Sequence, residues 1–133
     1  MDVSIIIVNY NTQELTLQCL RSVYEKTAGI SFEVIVVDNA SSDDSVKQVR
    51  IEFPQVILIE SPENLGFGRA NNLGFENSTG DYIFLLNSDT LLINNAIEIL
   101  WRFLNQNFDI AIVGGQLFEE DGVTITHSYS FVF

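Results

Sequence analysis

Little in this sequence is built for cross-linking or for meeting anions. Cysteine and histidine occur once each, and 6 basic side chains stand against 18 acidic ones, for a formal net charge of -12 at pH 7. A lone cysteine excludes an internal disulfide framework. Cys19 lies within a helical apolar pattern, so it reads as a buried thiol in a reducing compartment and not as a nucleophile. The acidity excludes a nucleic-acid backbone or an anionic membrane as the main partner. Apolar runs stop at strand length, short of the ~18 residues of a membrane span. The N-terminus has no basic stretch leading into an apolar one, so no signal peptide is expected. Gly66-Phe67-Gly68 has neither Gly-x-Gly-x-x-Gly nor P-loop spacing, which removes the common dinucleotide and triphosphate motifs. Repeats, linkers and low-complexity tracts are missing too, and 133 residues make one domain.

What is present is a well-patterned α/β chain with 47% hydrophobic residues. Its organising stretch is residues 81–90, an apolar run ending abruptly in Asn87-Ser88-Asp89-Thr90. An unbroken apolar run between polar breaks fits a strand buried on both faces of a parallel sheet. Residues 3–8 are β-branched and read as a central strand, followed by Asn9-Tyr10-Asn11 and a helix with Thr12 as N-cap, ended by Gly29. Residues 32–37 form the second strand, with Asp38-Asn39 at its end. Ser41 with Asp44 resembles a capping box opening the next helix, which Pro54 closes. Residues 56–59 are the third strand. A helix is expected from near Phe67, with Gly80 as its terminating glycine.

Beyond the organising strand, Asn94 is the expected cap of an amphipathic helix carrying Ile97, Leu100, Trp101 and Leu104 inward. Residues 110–113 are expected as a fifth strand. A hairpin turning at Glu119-Glu120-Asp121-Gly122 follows, with His127 at an exposed position of its second arm.

Alternating strands and helices imply a doubly wound, mostly parallel sheet, whose ligands gather outside the carboxyl ends of the strands. That edge collects Asn9-Tyr10-Asn11, Asp38-Asn39, the Gly66 to Arg69 loop and Asn87-Ser88-Asp89. Each motif alone is adequately explained as turn chemistry. Their convergence on one edge points to a site. Asp38, at the end of a second strand, is placed to accept hydrogen bonds from a ribose or base. Arg69 sits in a glycine-asparagine loop, whereas the other basic residues fall on helices with solvated faces. Its guanidinium suits a diphosphate. Two negative charges ~4 Å apart repel by about 4 kcal/mol at an effective dielectric of ~20. A divalent ion between carboxylate and phosphate reverses that sign, which makes Asp89 the expected metal ligand.

The motifs Ile6-Ile7-Val8-Asn9-Tyr10-Asn11, Val36-Val37-Asp38-Asn39-Ala40-Ser41-Ser42-Asp43, Asn64-Leu65-Gly66-Phe67-Gly68-Arg69-Ala70-Asn71-Asn72 and Leu85-Leu86-Asn87-Ser88-Asp89-Thr90 resemble, in that order, family 2 glycosyltransferases of GT-A fold. The resemblance spans essentially the whole chain. It implies a Rossmann-like sheet with a C-terminal β-hairpin, and inverting transfer of a sugar from a UDP- or dTDP-sugar to a hydroxyl acceptor. The implied donor-binding set is Val8, Asn9, Tyr10, Asp38, Asn39, Gly66, Arg69, Asn87 and Ser88. Asp89 is the implied metal ligand, for Mg²⁺ or Mn²⁺. Asn87 departs from the family's Asp-x-Asp motif, leaving one charge where relatives carry two. The Asn-Ser-Asp form is similar to subgroups in cell-wall or surface-polysaccharide assembly, including rhamnosyltransferases. That implies a saccharide or lipid-linked acceptor, and a cytoplasmic location or one at the inner face of the membrane. In relatives the catalytic base is a carboxylate well downstream of the metal motif. It is therefore expected beyond Phe133, with residues 1–133 the N-terminal donor-binding part of a longer transferase. Without that base, the alternative is a nucleotide-binding or regulatory module without turnover. A receiver-like signalling domain is disfavoured, since it needs an acidic cluster after the first strand and a lysine after the fifth.

Overall fold

A computed structural model describes residues 1–126. Four strands, β1 (Val3–Asn9), β2 (Phe32–Asp38), β3 (Ile57–Glu60) and β4 (Tyr82–Asn87), alternate with α1 (Gln13–Lys26), α2 (Ser45–Glu52), α3 (Phe67–Glu76) and α4 (Ala96–Gln106). All pairings are parallel and the sheet order is β3-β2-β1-β4. The chain builds outward from β1 through β2 to β3, then returns to place β4 on the other side of β1. A doubly wound sheet opens its ligand crevice where the strand order reverses, here between the carboxyl ends of β1 and β4.

Alternation along β1 divides the core. Val3, Ile5 and Ile7 face a layer containing Leu17, Leu20 and Val23 of α1, Val49 of α2 and Ile97 of α4. Ile6 faces the opposite layer, with Ile35, Val37 and Ala70 of α3. Complete burial of the Ile5-Ile6-Ile7 run is what a central parallel strand demands.

Some expected elements differ from those found. The strand ending at Asp89 is the edge of the described sheet, and Leu85 is 55% exposed, because α3 lies over β1 and β2 and leaves that face of β4 uncovered. Residues 110–113 form no strand: a cavity of about 410 Å³, lined by Tyr82, Phe84, Trp101 and Ile112 among others, lies where they approach β4. The capping box at Ser41 is absent. Helix α2 begins at Ser45, and the Ser41 hydroxyl instead accepts hydrogen bonds from Asn9 Nδ2 and the Asn11 amide. Asp43 serves both neighbouring helix starts, accepting the Gln13 amide at 3.1 Å and the Ser45 amide at 3.1 Å.

Helix α1 ends at Lys26, before Gly29, and α4 is preceded by Asn95 rather than Asn94; the Asn95 side chain ties that turn to Ala28. Gly80 does not terminate α3, which stops at Glu76. A Cβ at Gly80 would lie 2.4 Å from the Ser4 backbone nitrogen, so its role is close approach of two chains. The expected hairpin reduces to one antiparallel bridge, Phe118 to Ile125, around a turn with Gly122 at φ +68. His127 and residues 128–133 lie outside the described residues.

Candidate functional site

The end of β4 and the end of β1 enclose the site. Register pairs Val8 with Asn87, so the chain leaving β4 at Ser88 and Asp89 passes beside the start of α1. There Val8, Thr12, Leu15, Phe67, Asn87, Ser88 and Asp89 line a hollow of about 460 Å³. Asp89 is exposed on its wall. A turn closed by the Thr90 amide on the Asn87 carbonyl, 3.1 Å, holds it there. Its charge reaches inward: burial first, and then the Asp89 carboxylate, push the Cys19 thiol up to about 12. Cys19 Sγ in turn donates to the Asn87 carbonyl at 3.6 Å, beneath the same turn.

Beside the hollow lies a buried polar hub. Asn9 is 1% exposed and fully satisfied: its amide nitrogen donates to Asp38 Oδ1 at 2.7 Å and Ser41 Oγ at 3.0 Å. Its amide oxygen accepts from Thr12 at 2.9 Å and Thr16 at 2.8 Å. Asp38 is 3% exposed, and its second oxygen accepts the Ser41 amide at 3.0 Å. Asp38 thus shapes the loop leaving β2, and only its remaining lone pairs are open to a ligand. Each of the two adjoining loops, after β1 and after β2, carries one residue in support of that shape. Ala40 at φ +65 and Asn11 at φ +53 occupy the left-handed region, which is unfavourable for a residue with a Cβ and is tolerated where surroundings over-determine it.

The glycine loop is clamped to the same edge by an amide pair. Asn39 Nδ2 donates to Asn64 Oδ1 at 2.8 Å, while Asn39 Oδ1 accepts the Leu65 amide at 2.8 Å. Gly66 then enters α3 at φ +76, a conformation suited to glycine. Arg69 is exposed, with Nε donating to the Leu65 carbonyl at 2.9 Å. Among the described residues neither it nor Lys47 makes an ion pair, whereas Arg21, Lys26, Arg50 and Arg102 each meet a glutamate.

Of the residues expected from sequence, Val8, Asn87, Ser88 and Asp89 share the hollow. Asn9, Asp38 and Asn39 form the buried floor beside it, and Tyr10, Gly66 and Arg69 are exposed around that floor. Sequence reasoning missed Thr12 as more than a cap, Asn64 as a clamp, and Leu15 and Phe67 as walls. No sequence signal marked Leu15, since a single exposed leucine on a helix is ordinary.

The residues present suit one kind of cation. Among the described residues no three His, Cys, Asp or Glu side chains gather as a ready cage. Asp89 offers a single exposed carboxylate, flanked by the Asn87 amide and the Ser88 hydroxyl, an oxygen donor set. This fits a hard divalent ion that takes its remaining ligands from substrate phosphates and water, and not a thiolate- or imidazole-held metal.

A four-stranded parallel sheet with helices on both faces, and a polar rim at the strand-order reversal, define a Rossmann-like α/β protein. A sequence model of glycosyl transferase family 2 matches residues 4–132, and the chain belongs to that family. An uncharacterized glycosyltransferase of Rickettsia bellii is 34% identical over 122 residues, covering 90% of this chain and 18% of the relative. The S. aureus TarS 1–349 crystal structure in complex with UDP-GlcNAc matches with a TM-score of 0.70 and 25% identity, over 81% of this chain and 32% of that one. The mannosyltransferase PcManGT from Pyrobaculum calidifontis, in complex with GDP-Man and Mn²⁺, matches with a TM-score of 0.64 and 28% identity, over 70% of this chain and 29% of that one. The chain therefore spans a fraction of the length of the proteins it matches. No helix among the described residues is long and apolar enough to cross a membrane.

Proposed function

We propose that this chain is the donor-binding part of an inverting, metal-dependent glycosyltransferase. It takes a UDP- or dTDP-sugar and passes a hexosyl or rhamnosyl group to a saccharide or lipid-linked hydroxyl acceptor, on the cytoplasmic side, in cell-wall or surface-polysaccharide synthesis. The observation that carries this reading is Asp89 standing exposed on the wall of a 460 Å³ hollow at the reversal of strand order. In this assignment Asn9, Tyr10, Asp38 and Asn39 receive the nucleoside. Gly66 and Arg69 lie toward the diphosphate, and Val8, Asn87 and Ser88 border the sugar phosphate. Asp89 would hold Mg²⁺ or Mn²⁺, which when bound supplies Lewis-acid neutralisation of the leaving diphosphate.

The chain's own contribution is orientation and charge placement. Asn87 offers an amide oxygen without adding a second negative charge to an already acidic molecule. Asp89 is the one carboxylate among the described residues lining the hollow; it would hold the ion that neutralises the leaving group, and no second carboxylate lines the hollow there as a general base. That observation also favours a second reading, nucleotide binding without turnover.

Calorimetry with UDP and dTDP in Mn²⁺ tests the donor site. Asp89→Ala should weaken metal-dependent binding by at least about tenfold, one lost charge-assisted ligand. Its urea midpoint should stay near that of the parent, since Asp89 is exposed. Undiminished affinity in the variant removes the metal assignment. Release of free sugar from the donor, or its transfer, by this chain compared with a longer one then separates a transferase from a binding module.

A further inference from the structure

Resting on the reading of the site above, we propose that Thr12 is a positioning residue that couples the nucleoside floor to the metal-binding turn. Its hydroxyl lies 2.9 Å from Asn9 Oδ1, 3.3 Å from Thr16 Oγ1 and 3.2 Å from Ser88 Oγ. Thr12 stands at the N-cap position of α1, yet its side chain makes no capping hydrogen bond. The hydroxyl has been diverted from the helix to the site. Serine, threonine and aspartate are favoured at such positions because they satisfy an otherwise orphaned amide. Asp43, from the neighbouring loop, accepts the Gln13 amide, the first of the helix.

The link is directional in its consequences. Asn9 does not depend on Thr12 alone, because Thr16 Oγ1 donates to the same amide oxygen at 2.8 Å and Asp38 and Ser41 hold the amide nitrogen. Ser88 is different. Among the described residues, the side-chain hydrogen bond of Ser88 is to Thr12. Ser88 precedes Asp89, so this contact, together with Cys19 Sγ on the Asn87 carbonyl, ties the turn that carries the carboxylate to α1. Thr12 is also part of the wall of the hollow, so the tie runs along the surface that the sugar phosphate would touch. Removing the hydroxyl should leave the floor intact and loosen the turn.

The test is UDP titration of the whole chain, in EDTA and in Mn²⁺, for the parent, Thr12→Val, Thr12→Ser, Ser88→Ala and the Thr12→Val/Ser88→Ala pair. In EDTA, Thr12→Val should lose less UDP affinity than it loses in Mn²⁺. The gain in affinity on adding Mn²⁺ should fall by about 3- to 10-fold, as expected for one hydrogen bond. Thr12→Ser should restore it, because it keeps the hydroxyl. Ser88→Ala should reproduce the defect, and the pair should be no worse than either single change. An unchanged Mn²⁺ gain in Thr12→Val overturns the proposal. So does an equal loss in EDTA and in Mn²⁺, which would make Thr12 part of the floor only, or failure of Thr12→Ser to rescue. A parent chain that binds UDP no better with Mn²⁺ would instead refute the metal-dependent donor site itself.

Discussion

The thiol of Cys19 is kept neutral by burial and by the carboxylate of Asp89, which together raise it from 9.0 to about 12. Its folded value lies above its unfolded one, so the contribution to stability is complete below pH 9 and is lost as pH rises toward about 12. The loss proceeds at up to about 1.4 kcal/mol per pH unit. Denaturant titrations of the parent and Cys19→Ala at pH 8 and pH 10.5 measure it. The parent should lose roughly 2 kcal/mol more than the variant between those values, and parallel behaviour would contradict the burial of a neutral thiol. At this scale the sequence was informative where one residue does one thing. Asp89 could be placed at the rim because it closely follows the apolar run of β4. The role of Thr12 could not be read, because its partners Asn9, Thr16 and Ser88 come from three places in the chain and only folding brings them within 3.3 Å.

Elements were legible in proportion to the strength of their pattern. The β-branched runs of β1 and β2 left little choice, and both were placed to within a residue. Strand β4 was recognised too, but its surroundings were misjudged, since an apolar run does not say whether a covering layer exists on both sides. Residues 110–113 have strand-like composition and no ladder. Gly80 is the instructive error. A glycine after a helix is well explained as a terminator, and the real cause, the backbone of Ser4 on a strand 76 positions earlier, has no local signature. Gly80→Ala should therefore destabilise the fold by about 3 kcal/mol or more, at the upper end of overpacking effects, because backbone and not a pliable side chain stands in the way. Urea denaturation measures this, and a loss below about 1 kcal/mol, the ordinary effect of a surface change, would contradict it.

The molecule as a whole is acidic, and the site has Arg69 as its exposed cation. In the absence of a divalent ion, a diphosphate should be repelled by the summed field, and salt should screen that repulsion. UDP affinity in EDTA should thus rise about twofold or more between 20 and 150 mM NaCl, whereas in Mn²⁺ it should fall or stay level. Calorimetry at the two salt concentrations decides it; a fall with salt in EDTA would mean that Arg69 outweighs the global charge. This balance was readable from composition, and the convergence of the four motifs on one edge from the alternation of strands and helices. The division into a hollow and a buried floor was not, since it depends on which hydroxyls and amides satisfy one another.

The loops leaving β1 and β2 are stitched together. The Ser42 amide donates to Asn11 Oδ1 at 2.8 Å, the Asn11 amide to Ser41 Oγ at 2.9 Å, and the Gln13 amide to Asp43 at 3.1 Å. A visiting nucleoside would meet a lip already frozen when the polypeptide folded, so little configurational freedom is left there to surrender on docking. Discrimination between one base and another would then rest, along this lip, on shape fixed in advance.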